Sequence, residues 1–183
     1  MKERSAPSDA AALLERASAL VPHDRDLLLA LGDAYSAAGR DREATQVLEK
    51  IIASYAGKRS KELALYHHRL AKALSTLGDR DQALTQLDLA FKIDPRSIEV
   101  LKDLGVLAFE TNDLDRATKT FKALLLQKLD AGSGITKGEV FYYLGEISMK
   151  QGDKAKAVQM LERAVENEPT LDRAKSMLSQ LKA

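Results

Sequence analysis

Any chemistry in this chain has to come from three histidines and scattered carboxylates, hydroxyls and amines, because it contains no cysteine. A thiolate nucleophile, a disulfide and a cysteine-based zinc site are thereby excluded. His67 and His68 are neighbours; on a helix their side chains point about 100° apart and cannot grip one ion together, and His23 falls in a turn signal. Gly57-Lys58 and Gly132-Ser133-Gly134 have the look of phosphate loops. The Walker spacing, however, finds Ile52 where its first glycine belongs and Arg59 where it needs Ser or Thr. Both segments are expected to be flexible connectors. The serines lack a nucleophile elbow, and no pair of carboxylates is tied to a pattern that converges in a pocket. The expectation is therefore no enzyme, no metal and no cofactor.

The charge balance narrows the partners. Lys and Arg nearly cancel Asp and Glu, leaving a net charge of +1 in 183 residues. A nucleic-acid binder carries a basic excess or stripe, so no nucleic-acid partner is expected. No run of 18 apolar residues exists, hence no membrane span. The first residues run into Glu15 and Arg16 and make no signal-peptide core. The lack of cysteine fits the cytosol; the periplasm, or a larger protein whose targeting segment lies elsewhere, is the alternative. Ala- and Arg-rich usage points to a bacterial source.

The elements that must position these side chains are helical. Ala, Leu, Glu, Lys, Gln and Arg dominate, there are four prolines and no tryptophan, and these common residues lose least on entering a helix. A pattern then recurs five times. Ala10, Ala44, Ala83, Ala117 and Ala157 are each followed four positions later by Leu14, Leu48, Leu87, Phe121 and Leu161, and three further on by Ala17, Ile51, Ala90, Leu124 and Ala164. That spacing marks one helix face, a small residue admitting a neighbour and a large one filling the space beyond. Upstream lies a second helical pattern: Leu28, Leu31-Gly32, Tyr35; His67, Leu70-Ala71, Leu74; Leu101, Leu104-Gly105, Ala108; Phe141, Leu144-Gly145, Ser148. Between the two, Gly39-Arg40-Asp41, Gly78-Asp79-Arg80, Asn112-Asp113-Leu114 and Gly152-Asp153-Lys154 read as a left-handed stop followed by an Asp cap. Thr136 and Glu139 have capping-box spacing. Pro22, Pro95 and Pro169 close units.

These residues resemble the tetratricopeptide repeat, a helix-turn-helix unit of about 34 residues. The matched features are the Leu-Gly pair, Tyr35, the turn glycine, the Ala, the Leu or Phe, and the closing Pro. The family's Trp is absent, Ala71 replaces a Gly, and Ala108 and Ser148 replace the Tyr. The expected organisation is one all-α array: an N-terminal helix or partial repeat at 8–21, repeats at 25–58, 64–97, 98–131 and 138–171, and a capping helix at 172–183 with an apolar stripe of Leu171, Ala174, Leu178 and Leu181. Gly105 and Gly145 are expected where helix backbones nearly touch. The resemblance implies an αα superhelix with a concave groove.

In such arrays the first helix of each pair lines the groove, and the resemblance therefore implies a peptide site. Arg69, Lys72 and Lys102, with His68 nearby, would form a cationic patch, and Phe109, Tyr142, Tyr143 and Met149, with Glu146 beside them, an aromatic and thioether surface. The patch would take acidic groups through charge-assisted hydrogen bonds, and the aromatics would anchor apolar side chains. Long charged residues on an exposed face are also what ordinary solvation requires, and Arg69 or Lys72 has Asp33, Asp103 and Glu99 to pair with. The Lys and Asn clamp with which some family members hold a terminal carboxylate is not reproduced: Leu29, Asp33 and Arg69 stand in its positions. The expected function is a non-catalytic scaffold, monomeric or weakly dimeric, holding an acidic and hydrophobic peptide or protein segment. The alternatives are a structural role, self-associating through 8–21 or the terminal units, and a regulatory segment of a larger protein.

Overall fold

The computed structural model describes residues 5–55, 60–130 and 132–182, and among them it holds ten helices and no strand. They are α1 (Ser5–Leu20), α2 (Arg25–Ala37), α3 (Asp41–Ser54), α4 (Lys61–Thr76), α5 (Arg80–Ile93), α6 (Ile98–Glu110), α7 (Leu114–Leu125), α8 (Lys137–Lys150), α9 (Lys154–Asn167) and α10 (Asp172–Lys182). The chain divides into two compact units, the first ending at Pro95 and the second starting at Arg96. In the first, α2 pairs with α3 and α4 with α5, and α1 lies against α2; in the second, α6 pairs with α7 and α8 with α9, and α10 lies against α9.

The Ala-large pattern of the second helices is the spine of both units. Ala44, Ala83, Ala117 and Ala157 are fully enclosed, and Leu48, Leu87, Phe121 and Leu161 are buried beside them. Burying a side chain of this size stabilises by about 1.5–3 kcal/mol. The pattern slips by one residue in α1, where Ala11 is enclosed and Ala10 is exposed. The stripe is set by the packing of α1 on α2, with Glu15 reaching Arg40 at the start of α3.

The turns obey their chemistry, with one correction. Gly39, Gly78 and Gly152 have positive φ, and Asn112 adopts the same left-handed conformation at φ 62°. Each is followed by a backbone amide that reaches back to the preceding helix, as in Asp113 N to Ala108 O at 2.8 Å. Asp79, Asp113 and Asp153 then cap α5, α7 and α9. In the first turn Arg40 takes the cap position without a side-chain bond, and Asp41 is already helical. The order Gly-Arg-Asp, in place of Gly-Asp, moves the carboxylate one residue too far. Arg40 instead bridges Glu15 and Glu43, at 2.8 Å each, and covers the Tyr35 ring.

The expected connector at Gly132-Ser133-Gly134 is a built turn. The Ser133 hydroxyl accepts from Asp130 N at 2.9 Å, Gly132 N donates to Asp130 Oδ1 at 3.0 Å, and Ile135 is buried. The Gly132 and Ser133 amides both donate to Asp130. The other connector, residues 57–59, lies outside the described residues, as does the end of the first expected repeat. Thr136 and Glu139 form a full capping box at the start of α8.

Candidate peptide-binding face

The first helices show two kinds of surface. In the first unit, His68, Arg69 and Lys72 are carried by α4. Arg69 is ion-paired with Asp33 of α2, and burial pulls its guanidinium below the usual arginine range. Lys72 is exposed and His68 half-exposed. The adjacent His67 is buried, and its Nδ1 lies 2.7 Å from Gln86 Oε1. It is a packing residue with one satisfied hydrogen bond. No cluster of three or more metal-ligating side chains occurs among the described residues.

In the second unit Lys102 lies on α6, its Nζ 3.7 Å from Asp103 Oδ1. Arg69 and Lys102 are therefore each held by a carboxylate of their own unit.

The aromatic half of the expectation assembles. Phe109 of α6 meets Tyr143 of α8 edge-on at 5.5 Å between ring centroids, and Tyr142 meets Tyr143 edge-on at 6.0 Å. Beneath them Phe121 of α7, fully buried, stacks parallel to Tyr143 at 4.8 Å. Edge and offset-stacked geometries are the ones that the ring quadrupole favours. Phe109, Tyr142, Tyr143, Glu146 and Met149 are each half-buried, one side on the unit and one side on solvent. Burial, above all, raises the phenol pKa of both tyrosines; at Tyr142 the charge of Glu146 and a hydrogen bond to it act in the same sense. Both are neutral donors at physiological pH.

Sequence reasoning missed Phe121 and Arg173 as members of this surface. Phe121 was legible only as core, yet it fixes the Tyr143 ring plane. Lys150 Nζ sits 4.4 Å above the Phe109 ring. Arg173 of α10 lies 4.6 Å from the Tyr142 centroid, and its Nη2 donates to Glu139 Oε1 at 2.9 Å. No local pattern reports that contact, which joins residues 34 apart in the chain.

Paired helices nested by a small residue against a large one, with aromatic side chains left half-open on the first helices, define a helical-repeat scaffold. The chain belongs to the tetratricopeptide repeat family, whose models match residues 3–65, 74–133 and 138–171. It is 26% identical over 183 residues to human protein O-mannosyl-transferase TMTC1, an alignment covering 95% of this chain and 20% of that protein. The chain thus spans about a fifth of the length of that curated relative. Among solved structures it is similar to MamA, with a TM-score of 0.76 at 17% identity over 94% of both chains. It is also similar to YrrB, described as a TPR protein with an unusual peptide-binding site, with a TM-score of 0.74 at 23% identity over 96% of this chain and 85% of that one. Such repeats form protein-interaction scaffolds and are typically non-catalytic. Among the described residues no helix is long and apolar enough to cross a membrane.

Proposed function

We propose that this chain is a non-catalytic scaffold that holds a peptide segment against the first helices of its second unit, with Phe109, Tyr142 and Tyr143 as the anchoring surface. One observation carries the reading: three aromatic rings from two helices converge half-buried, flanked by the exposed cations Lys150 and Arg173, where enclosure would have served stability alone. Aromatic side chains present large rigid area at low entropic cost and dominate interface energies. Glu146 and Met149 border the rings, and an acidic residue of the segment lies toward Lys102. Of the acidic and hydrophobic partner expected, the hydrophobic half has the stronger support, since Arg69 already has Asp33.

A peptide selected from a displayed random library supplies the test. Phe109→Ala and Tyr142→Ala each weaken binding by at least about 2 kcal/mol, roughly thirtyfold, measured by fluorescence polarisation. Lys102→Glu weakens an acidic peptide further. Unchanged affinity in both aromatic variants refutes the reading.

A second reading has its own observation. Leu13, Leu20 and Val21, on and just after α1, are 64, 84 and 50% exposed, which favours a surface for assembly with another copy or with a longer protein. Light scattering across micromolar concentrations separates the two: dimerisation lost in Leu20→Glu supports assembly, and a monomer throughout disfavours it.

A further inference from the structure

The proposed face is occupied by the chain's own cation. Arg173 lies 4.6 Å from the Tyr142 centroid and 5.8 Å from that of Tyr143, and its Nη2 is 2.9 Å from Glu139 Oε1. That carboxylate is aimed from behind. Its other oxygen accepts the Thr136 backbone N–H at 3.1 Å, and the Thr136 hydroxyl accepts from Glu139 N at 3.0 Å. The capping box of α8 therefore fixes an acceptor beside two tyrosine faces. Glu146 and Glu110 add negative charge around Tyr143.

A planar cation satisfies this corner best. A guanidinium stacks on an aromatic face while its edge donates to a carboxylate; an ammonium offers only a point charge. The helix that supplies Arg173 is lightly held. Ala174 is the buried residue of α10, and the Arg173 side chain is 43% exposed. An ion pair at such exposure adds little to fold stability, so its replacement by an incoming group leaves the unit intact.

We propose that Tyr142, Tyr143 and Glu139 form a guanidinium site for an arginine of the bound segment, which Arg173 fills in the unbound chain. The proposal rests on the peptide-binding reading above and names the partner's chemistry: an arginine next to an apolar residue, the second seated toward Phe109. The partner's arginine must displace Arg173, so the site reports its own competition.

The test is an NMR titration of the full chain with blocked Ala-Arg-Ala, Ala-Lys-Ala and Ala-Glu-Ala tripeptides. Arg173→Gln removes the internal occupant. It binds the arginine peptide severalfold more tightly than the parent, with shifts on the Tyr142 and Tyr143 rings, and binds the lysine peptide less well. Adding Glu139→Gln, which keeps the capping box because Gln serves at that position, abolishes the gain. Should Arg173→Gln melt early, Arg173→Lys keeps the charge and gives a smaller gain of the same sign. No gain in either variant overturns the proposal, and so does a glutamate peptide that binds the parent and is lost in Arg173→Gln, which would make Arg173 an acid anchor. If arginine binding is unchanged while Phe109→Ala still abolishes a library peptide, the guanidinium site fails and the peptide face stands. If Phe109→Ala is silent as well, both fail.

Discussion

The two units build the same hairpin with different tolerances. In the first unit the small residue of the leading helix is Gly32 or Ala71, and in the second it is Gly105 or Gly145. A Cβ at Gly32 would meet Leu48 at 3.7 Å, an ordinary contact. A Cβ at Gly105 would meet the Phe121 ring at 2.9 Å, and one at Gly145 would meet Leu161 at 2.9 Å. The second unit has thus closed its hairpins on side chains that leave no room for a methyl group. The sequence pattern led us to expect backbones nearly touching there; the tight neighbour is a side chain, with the Ala157 carbonyl next at 3.5 Å from the Gly145 position. The lesson is that one motif position can be conformational habit in one hairpin and steric necessity in the next. The tighter unit also carries the aromatic face, because Phe121 both fills the space beside Gly105 and lies flat under Tyr143.

Phe121→Ala breaks that comparison hardest. It removes a fully buried ring and the platform of Tyr143, and costs about 3–5 kcal/mol. Urea unfolding measures the loss, and peptide affinity falls with it. Gly145→Leu and Gly105→Ala follow, each destabilising by about 1–3 kcal/mol through overpacking. Gly32→Ala goes the other way and stabilises by about 0.5–1 kcal/mol, since a helical glycine is being replaced where space exists. Equal effects at the three positions would erase the distinction between the units.

The mildest handle is pH, and it acts on the first unit. Tyr55 is enclosed, its hydroxyl donates to Glu62 Oε2 at 2.8 Å, and burial, chiefly, pushes its pKa from 10.0 to about 12. A raised folded pKa stabilises fully below the unfolded value and is lost as pH rises through the folded one. Thermal melts therefore show stability held up to pH 10 and falling toward pH 12, with Tyr55→Phe flattening that fall. A variant that declines as steeply as the parent assigns the effect to other tyrosines.

Much of the fold was legible because its determinants are local. The Ala and Leu or Phe four residues on, the turn glycines and the Thr136–Glu139 box are spacings that a single helix or turn enforces. The failures are places where a group outside the repeat pattern decides. Ala11, and not Ala10, turns inward in α1, a choice made by its packing on α2 that spacing alone does not report. Arg40 is an uncapped start because a guanidinium has no acceptor to offer the helix N–H groups, and its side chain reaches Glu15, 25 residues away. Ser133 closes a turn on Asp130, so glycines that suggest mobility become structure. At the candidate site the rings of α6 and α8 could be placed on one face by periodicity, whereas the stacking of Phe121 and the reach of Arg173 could not. Helical periodicity gives direction around an axis and says nothing of which side chain of another helix arrives there.

The central claim is that the open rings of the second unit are where a polypeptide binds. An amide and aromatic NMR footprint of a library-selected peptide on the whole chain tests it most directly. The account predicts the largest shifts at Phe109, Tyr142 and Tyr143 and along α6 and α8, with α2 to α5 unmoved. A footprint confined to the first unit, leaving those three rings unchanged, would contradict it.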